Sequence, residues 1–367
     1  MAASSLENLR MRPMLGWLLV LSSALMMAGC SAKYMKVKNP DLLTSGNREF
    51  EQAVKIDAPT EDGPTVTTSG PPPEPAETAA KGKKGKGAKK APPPRKAPVK
   101  KGKAGAKAEG PLVHEPADVE DGRGFIGRRP VKDPFRIGET VVHDVSYFKV
   151  SAGALTMKVE PFAQVNGRKA YNFTTSLKTY PRFESLVYAV DDKAVTLVDF
   201  DQLIPRVFTL HVKETGQLKE ARSYFDFDKL QARYWEKKVN KQGEVEEKKQ
   251  EWEILPYSQN VFSAIYYMRL FDWEMGKEYA FRVADDEQNL IFKGKAIRRE
   301  TLDTDIGPFK AIVVKPEITV KGIFKPVGDI YIWLSDDDRK LVLRLESKIK
   351  IGTLVSEIIR YEPGRAP

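Results

Sequence analysis

From Gly138 onward the chain takes on the pattern of β-strands: segments rich in Val, Ile, Thr, Tyr and Phe recur, each ended by Gly, Asn, Asp or Pro. Strands are predicted over 139–150, 154–165, 170–180, 185–190, 194–200, 207–213, 222–227, 232–239 and 244–251. More follow over 278–283, 291–300, 309–320, 328–334 and 341–351, and the series closes with "TLVSEIIRYE". Turn signals such as "QVNGRKA" and "KETGQL" join neighbours as hairpins, and "VNKQGEVE" tops a long exposed ribbon. Connections this short imply antiparallel pairing.

One stretch breaks the pattern. In "PYSQNVFSAIYYMRLFDWEMG" Val261, Ala264, Ile265 and Met268 recur at helical spacing, with Phe262, Tyr266 and Leu270 on an adjoining face. Ser258 is the expected N-cap of a helix of about four turns, with Gly276 beyond its end. A helix with so rich an apolar stripe must bury it, and the concave face of the sheet is the available partner. About a dozen strands rarely stay flat, so the expected fold is all-β and mainly antiparallel: a curved sheet, half-barrel or barrel-like sandwich holding one amphipathic helix.

The N-terminal pattern is different. An apolar run from Met14 to Met27 follows Arg10 and Arg12 and ends on Ala28-Gly29, the order of a secretory signal peptide. The run falls short of the ~20 residues a spanning helix needs. "Met27-Ala28-Gly29-Cys30" resembles a bacterial lipobox, with Met27 where Leu is usual, and Cys30 is the only cysteine in 367 residues. A lone cysteine in an exported chain has no internal disulfide partner, so lipid attachment at Cys30 is the expected use, and several acyl chains hold a protein stably. Ser31, rather than Asp, after the cysteine implies sorting to a periplasm-facing position on the outer membrane by resemblance to Gram-negative lipoproteins.

Between these regions the composition changes again. The +10 net charge divides as +1 over residues 1–30, +8 over 31–137 and +1 beyond. Lys81 to Lys107 carries 12 Lys or Arg and no acid, amid Pro, Ala and Gly. Such a segment cannot bury enough apolar surface to offset its ordering entropy, so a disordered basic linker is expected. As a tether it would reach roughly 200 Å if fully extended and about 45 Å as a coil. The organisation read from sequence is therefore a signal peptide over 1–29, a lipidated segment over 30–57, a linker over 58–136 and a β-rich domain over 137–362. Export, and the lack of aromatics among the lysines, argue against nucleic acid as the partner. The expected acidic partners of Lys81 to Lys107 are peptidoglycan or anionic lipids.

Catalytic chemistry has little support. His114, His143 and His211 show no metal spacing, no cofactor is implied, and neither a G-x-S-x-G elbow nor a phosphate-binding loop occurs. Asp336, Asp337 and Asp338 lack the pattern of a calcium loop and read better as a hairpin turn, where Asp bonds its own backbone. Asp337 or Asp338 pairing with Arg339 would help fix that turn. Tyr147, Tyr266 and Trp333 are candidate ligand-binding residues for a lipid-sized cavity, and Trp333 marks its mouth or floor because a buried indole N–H needs a partner.

Several marks coincide in "IGETVVHDVSYFKVSAG", "QNVFSAIYYMR", "DTDIGPFKAIVV" and "GDIYIWLSDDDRKLVLRLESKIKIG". Together they resemble the domain of unknown function 3108 family of exported bacterial proteins, over residues 137–362. The resemblance implies fold and compartment more than activity. The leading expectation is a non-enzymatic, lipid-anchored envelope protein whose β-rich domain binds a lipid, a lipoprotein or an envelope protein. The alternatives are a cell-wall anchor acting through its lysine tract and, further off, an unrecognised hydrolase.

Overall fold

The computed structural model describes residues 46–57, 133–186, 188–240, 242–320, 323–325, 329–348 and 352–365. The signal segment, Cys30, the Lys81–Lys107 tract and His114 lie outside them. The chain opens with α1 (Arg48–Ala53) and β1 (Ile56–Asp57). It resumes as β2 (Ile137–Tyr147), β3 (Val150–Val165), β4 (Arg168–Thr179), a short α2 (Pro181–Leu186), β5 (Asp191–Asp199) and β6 (Pro205–Lys213). Then come β7 (Leu218–Asp226), β8 (Gln231–Val239), β9 (Val245–Glu253), α3 (Val261–Tyr267) and a 3₁₀ turn (Met268–Leu270). The last elements are β10 (Glu278–Asp285), β11 (Gln288–Thr304), β12 (Gly307–Val320), β13 (Ile323–Lys325), β14 (Asp329–Ser335), β15 (Val342–Lys348) and β16 (Thr353–Arg365).

The main strands form one antiparallel sheet in the order β10-β11-β12-β14-β15-β16-β2-β3-β4-β5-β6-β7-β8-β9, with β1 on β3 and β13 on β12. The first strand after Asp133 therefore sits in the middle, next to the last. The sheet curls without closing. Its edges β9 and β10 are stitched by side chains instead of a ladder: Lys248 pairs with Asp286 at 3.2 Å, and Asn289 bonds Glu253 O and Leu255 N–H. Gln259 adds a parallel bridge to Val283.

Inside the curl lies a core in which the region after α3 is the filler. Phe271 and Trp273 are almost fully buried against Tyr279, Phe281 and Tyr267, and Trp273 donates its N–H to Met268 O at 3.0 Å. Each such ring is worth about 1.5–3 kcal/mol of transfer free energy. Gly294 makes room for it, since a Cβ there would stand 2.6 Å from Trp273 Cη2.

Three sequence expectations need correction. The strand expected over 139–150 breaks at Phe148-Lys149, both at positive φ, to make the β2–β3 hairpin. The stretch 185–190 is no strand: Pro181, whose fixed φ suits a first helical position, starts α2, and only Val190 makes a bridge. The helix is shorter than four turns and its N-cap is Asn260, not Ser258. Gln259 is tied to β10 through Gln259 N–H to Arg282 O and Ala284 N–H to Gln259 O, so helix cannot begin earlier. At Asn260 a capping box with Ser263 satisfies the first free amides.

Residues 46–57 belong to the folded unit. Asn47 caps α1, and Phe50 and Val54 are buried with Ala163, Val165, Leu197, Val207 and Trp235 on the outer side of the sheet.

Candidate functional site

The two ends of the curled sheet differ. At the end near the Asn166-Gly167 turn the opening is plugged by ions. Glu139 on β2 accepts from Arg269 Nη1 at 2.6 Å and Nη2 at 3.0 Å, and also from Arg339. Pro134 O accepts from Arg339 Nε at 2.7 Å, and Arg269 lies over the Phe135 ring at 5.2 Å. Arg339 was expected to pair with a neighbouring Asp; it reaches Glu139 because Asp337 is occupied. The Asp337 Oδ1 accepts from Ser335 Oγ at 2.7 Å and from the amides of Arg339 and Lys340, which makes the acidic triplet the turn its sequence suggested.

At the other end, where β2 turns into β3 at Phe148, the inner face stays partly open. Register sets Leu155, Leu177 and Asp192 side by side across β3, β4 and β5, with Tyr147 a step nearer the end. Val145, Leu177, Val190 and Leu354 are buried there, while Tyr147, Leu155 and Tyr188 remain half-buried. The helix carries a half-buried arc of its own. At 100° per residue Val261, Ile265 and Phe262 lie on one side of α3, and these three are half-buried, whereas Ser263, Ala264, Tyr266 and Tyr267 are buried. Phe262 stacks on Phe208 at 5.1 Å and packs toward Leu210, Val212 and Ala221 on the inner face. Apolar side chains are thus left half-buried in two places, Tyr147, Leu155 and Tyr188 at this end of the sheet and Val261, Phe262 and Ile265 on the helix.

Polar groups ring the opening. Asp192 and Glu214 are both nearly fully buried. Lys213 N–H donates to Asp192 Oδ1 at 3.0 Å, while Tyr188 O–H and Gln217 Nε2–H donate to Glu214 Oε2 at 2.9 and 2.7 Å. Burial, and then the adjacent Glu214, hold the Asp192 carboxyl well above the ordinary carboxylate range, so a proton is retained between the two acids near neutrality. Deeper in, His143 is fully buried: its Nδ1 and Nε2 lie 2.9 Å from Ser356 Oγ and Val342 O, and burial lowers it to about 4. His211, by contrast, is half-exposed on the outer face beside Glu220. An apolar lining with a few fixed polar groups suits binding of a hydrophobic ligand. No group of three metal-ligating side chains occurs among the described residues.

The three residues read from sequence are not brought together. Tyr147 lies at the open end. Tyr266 is in the core, its ring stacked 3.9 Å from Phe173. Trp333 is on the outer face, where it is paired in register with Arg344, flanked by Arg298, and donates its N–H to Glu300 at 2.5 Å. The strand bulge between Trp333 and Leu334 leaves Leu334 inside. Leu155, the helix arc and the Asp192–Glu214 pair were missed. Strand phase at Leu155 was unreadable without the Phe148-Lys149 turn, and nothing local links Asp192 to Glu214.

A second concavity, about 420 Å³, lies on the outer side between α1 and β8–β9. Its charges are paired, Glu49 with Lys249 and Arg233 with Glu251.

The fold is a curled, unclosed antiparallel β-sheet wrapped on a short helix. The family model for "Protein of unknown function (DUF3108)" matches residues 142–359, and the chain belongs to that family. No curated protein matches. Among solved structures, the β-barrel-like protein of domain of unknown function DUF1849 from Brucella abortus is 9% identical, with a TM-score of 0.39 over 62% of this chain and 98% of its own. A Bacteroides fragilis protein described as exported, with a YmcC-like fold, is 9% identical, with a TM-score of 0.29 over 63% of this chain and 98% of its own. A Parabacteroides distasonis protein described as a lipoprotein is 11% identical, with a TM-score of 0.27 over 64% of this chain and 100% of its own.

Proposed function

We propose that this is a non-enzymatic cell-envelope protein, lipid-anchored through Cys30 on the periplasmic side of the outer membrane, whose domain binds a hydrophobic chain of a lipid or lipoprotein at the Phe148 end. The observation that carries the reading is the lining: Leu155 and Tyr147 on the sheet and Val261, Phe262 and Ile265 on the helix stay half-buried in a sheet whose other end is plugged. Half-exposed apolar side chains facing one opening gain about 25 cal/mol per Å² when a ligand covers them. The retained proton on Asp192 and Glu214 keeps one charge fewer at the rim, which lowers the desolvation penalty for an apolar guest.

Native mass spectrometry of the Cys30→Ser chain tests this directly, with a bound mass in the lipid range as the expected result. Uptake of a fluorescent fatty acid, blocked by Leu155→Trp, is the second expected result. A chain that carries no lipid mass and takes up no fatty acid contradicts the reading.

A further inference from the structure

We infer that the domain serves the same bilayer that carries its anchor, because the strap of residues 46–57 and not the basic segment sets its reach. This rests on the lipid-anchor reading of Cys30. The strap is built in at both faces. Phe50 meets the Trp235 ring edge-on at 5.8 Å, and Glu49 accepts the Trp235 N–H at 3.1 Å and pairs with Lys249 at 2.5 Å. Asn166 clamps its far end: its amide donates to Lys55 O at 2.8 Å, its Oδ1 accepts from Lys55 N–H at 2.7 Å, and its Nδ2 donates to Ala53 O. Ile56 and Asp57 then pair with Val165 and Gln164 as an added strand.

The described residues stop at Asp57, paired on β3, and resume at Asp133, whose carboxylate accepts the Tyr171 O–H. Both exits are fixed, so the length between them adds nothing to the distance from the anchor. The leash is the chain from Cys30 to Gly46, which spans at most about 55–60 Å when fully extended. Were the strap free, the leash would run from Cys30 to Asp133 and span up to roughly 350 Å, about sixfold more. With the strap docked, the open end samples hydrophobic ligands in or on the anchoring bilayer, and a surface a few hundred Å away is out of range.

The test uses the lipidated full chain on vesicles, with a donor dye at Glu247→Cys and acceptor-labelled headgroups. Deleting residues 64–128 is expected to leave the height above the bilayer unchanged. Phe50→Ala with Val54→Ala is expected to raise the height in both chains, and to raise it further in the chain that keeps those residues, whose freed leash is longer by 65 residues. A height that falls on the deletion alone, or that ignores the strap substitutions, overturns the proposal. In the Cys30→Ser chain, spin labels at Glu51→Cys and Lys237→Cys read docking without any membrane. A narrow distance distribution, broadened by Phe50→Ala, is expected, and a broad one in the otherwise unchanged chain overturns the proposal. A Cys30→Ser chain that sediments with uncharged phosphatidylcholine vesicles as fully as the lipidated chain overturns the anchor reading instead, whatever the spin labels report.

Discussion

The two ends of the sheet handle buried polarity in opposite ways. At the Asn166 end one carboxylate, Glu139, is matched by two guanidiniums and both arginines share the Pro134 carbonyl, so charge is compensated and water is shut out. At the Phe148 end two acids stand together, bonded to the Lys213 amide, Tyr188 and Gln217, and Tyr147, Leu155 and Tyr188 are half-covered. The hairpin turns repeat the contrast. Asn166-Gly167 takes positive φ with residues suited to it, whereas Phe148-Lys149 takes the same conformation with an aromatic and a long cation, and Phe148 is 57% exposed. A bulky residue in that backbone region is strained. The lesson is that one end is built for stability and the other departs from it, which is why the proposed binding role is placed there.

The contrast breaks most visibly at Glu139. Glu139→Gln leaves two buried guanidiniums without their carboxylate and is expected to lower stability by about 3–5 kcal/mol, read as a shift in urea midpoint at constant slope. A loss under ~1 kcal/mol would mean that the plug is ornamental.

Acid should strike next. Burial lowers His143 to about 4 in the folded chain against ~6.5 unfolded, so the unfolded chain binds the proton first. Stability from this group is complete above pH ~6.5 and is lost as pH falls toward 4, by roughly 3 kcal/mol. His143→Gln should flatten that slope in denaturation curves taken across the range.

Asp192 works in the other direction. Its folded carboxyl holds a proton that the unfolded chain releases near pH 4, so its contribution weakens as pH rises from there toward neutrality. Asp192→Asn should remove this decline, and the same unfolding series measures it. The smallest effect is expected at the strained hairpin. Phe148→Asn with Lys149→Gly should raise stability by about 0.5–1 kcal/mol while weakening ligand uptake if the tip covers the bound chain.

Much of this architecture was legible in the chain. Hairpin signals at Asn166-Gly167 and Glu214–Gln217 and the acidic turn after Trp333 act through local backbone preference and appear where the pattern put them, whereas the helix is shorter than its pattern and leaves Val261 and Ile265 of the expected stripe half-buried. What escaped is long-range. The Glu139–Arg269–Arg339 plug joins residues 130 and 200 positions apart, and no spacing rule connects them. Trp333 looked like a cavity marker because an indole needs an acceptor, but that acceptor, Glu300, lies on the outer face. The strap was readable in part: Asn47 before "REFEQA", with Phe50 and Val54 four apart, is a capped amphipathic turn too short to stand out against the basic stretch that follows.

The central claim is that the Phe148 end takes a hydrophobic guest, and one titration reaches it most directly. The Cys30→Ser chain and its Leu155→Trp variant are titrated with a fluorescent fatty acid, with urea stability measured alongside. The account predicts saturable uptake by the first and at least about tenfold weaker uptake by the second, at stabilities within ~1 kcal/mol of each other. Equal uptake by both chains, or none by either, would contradict it.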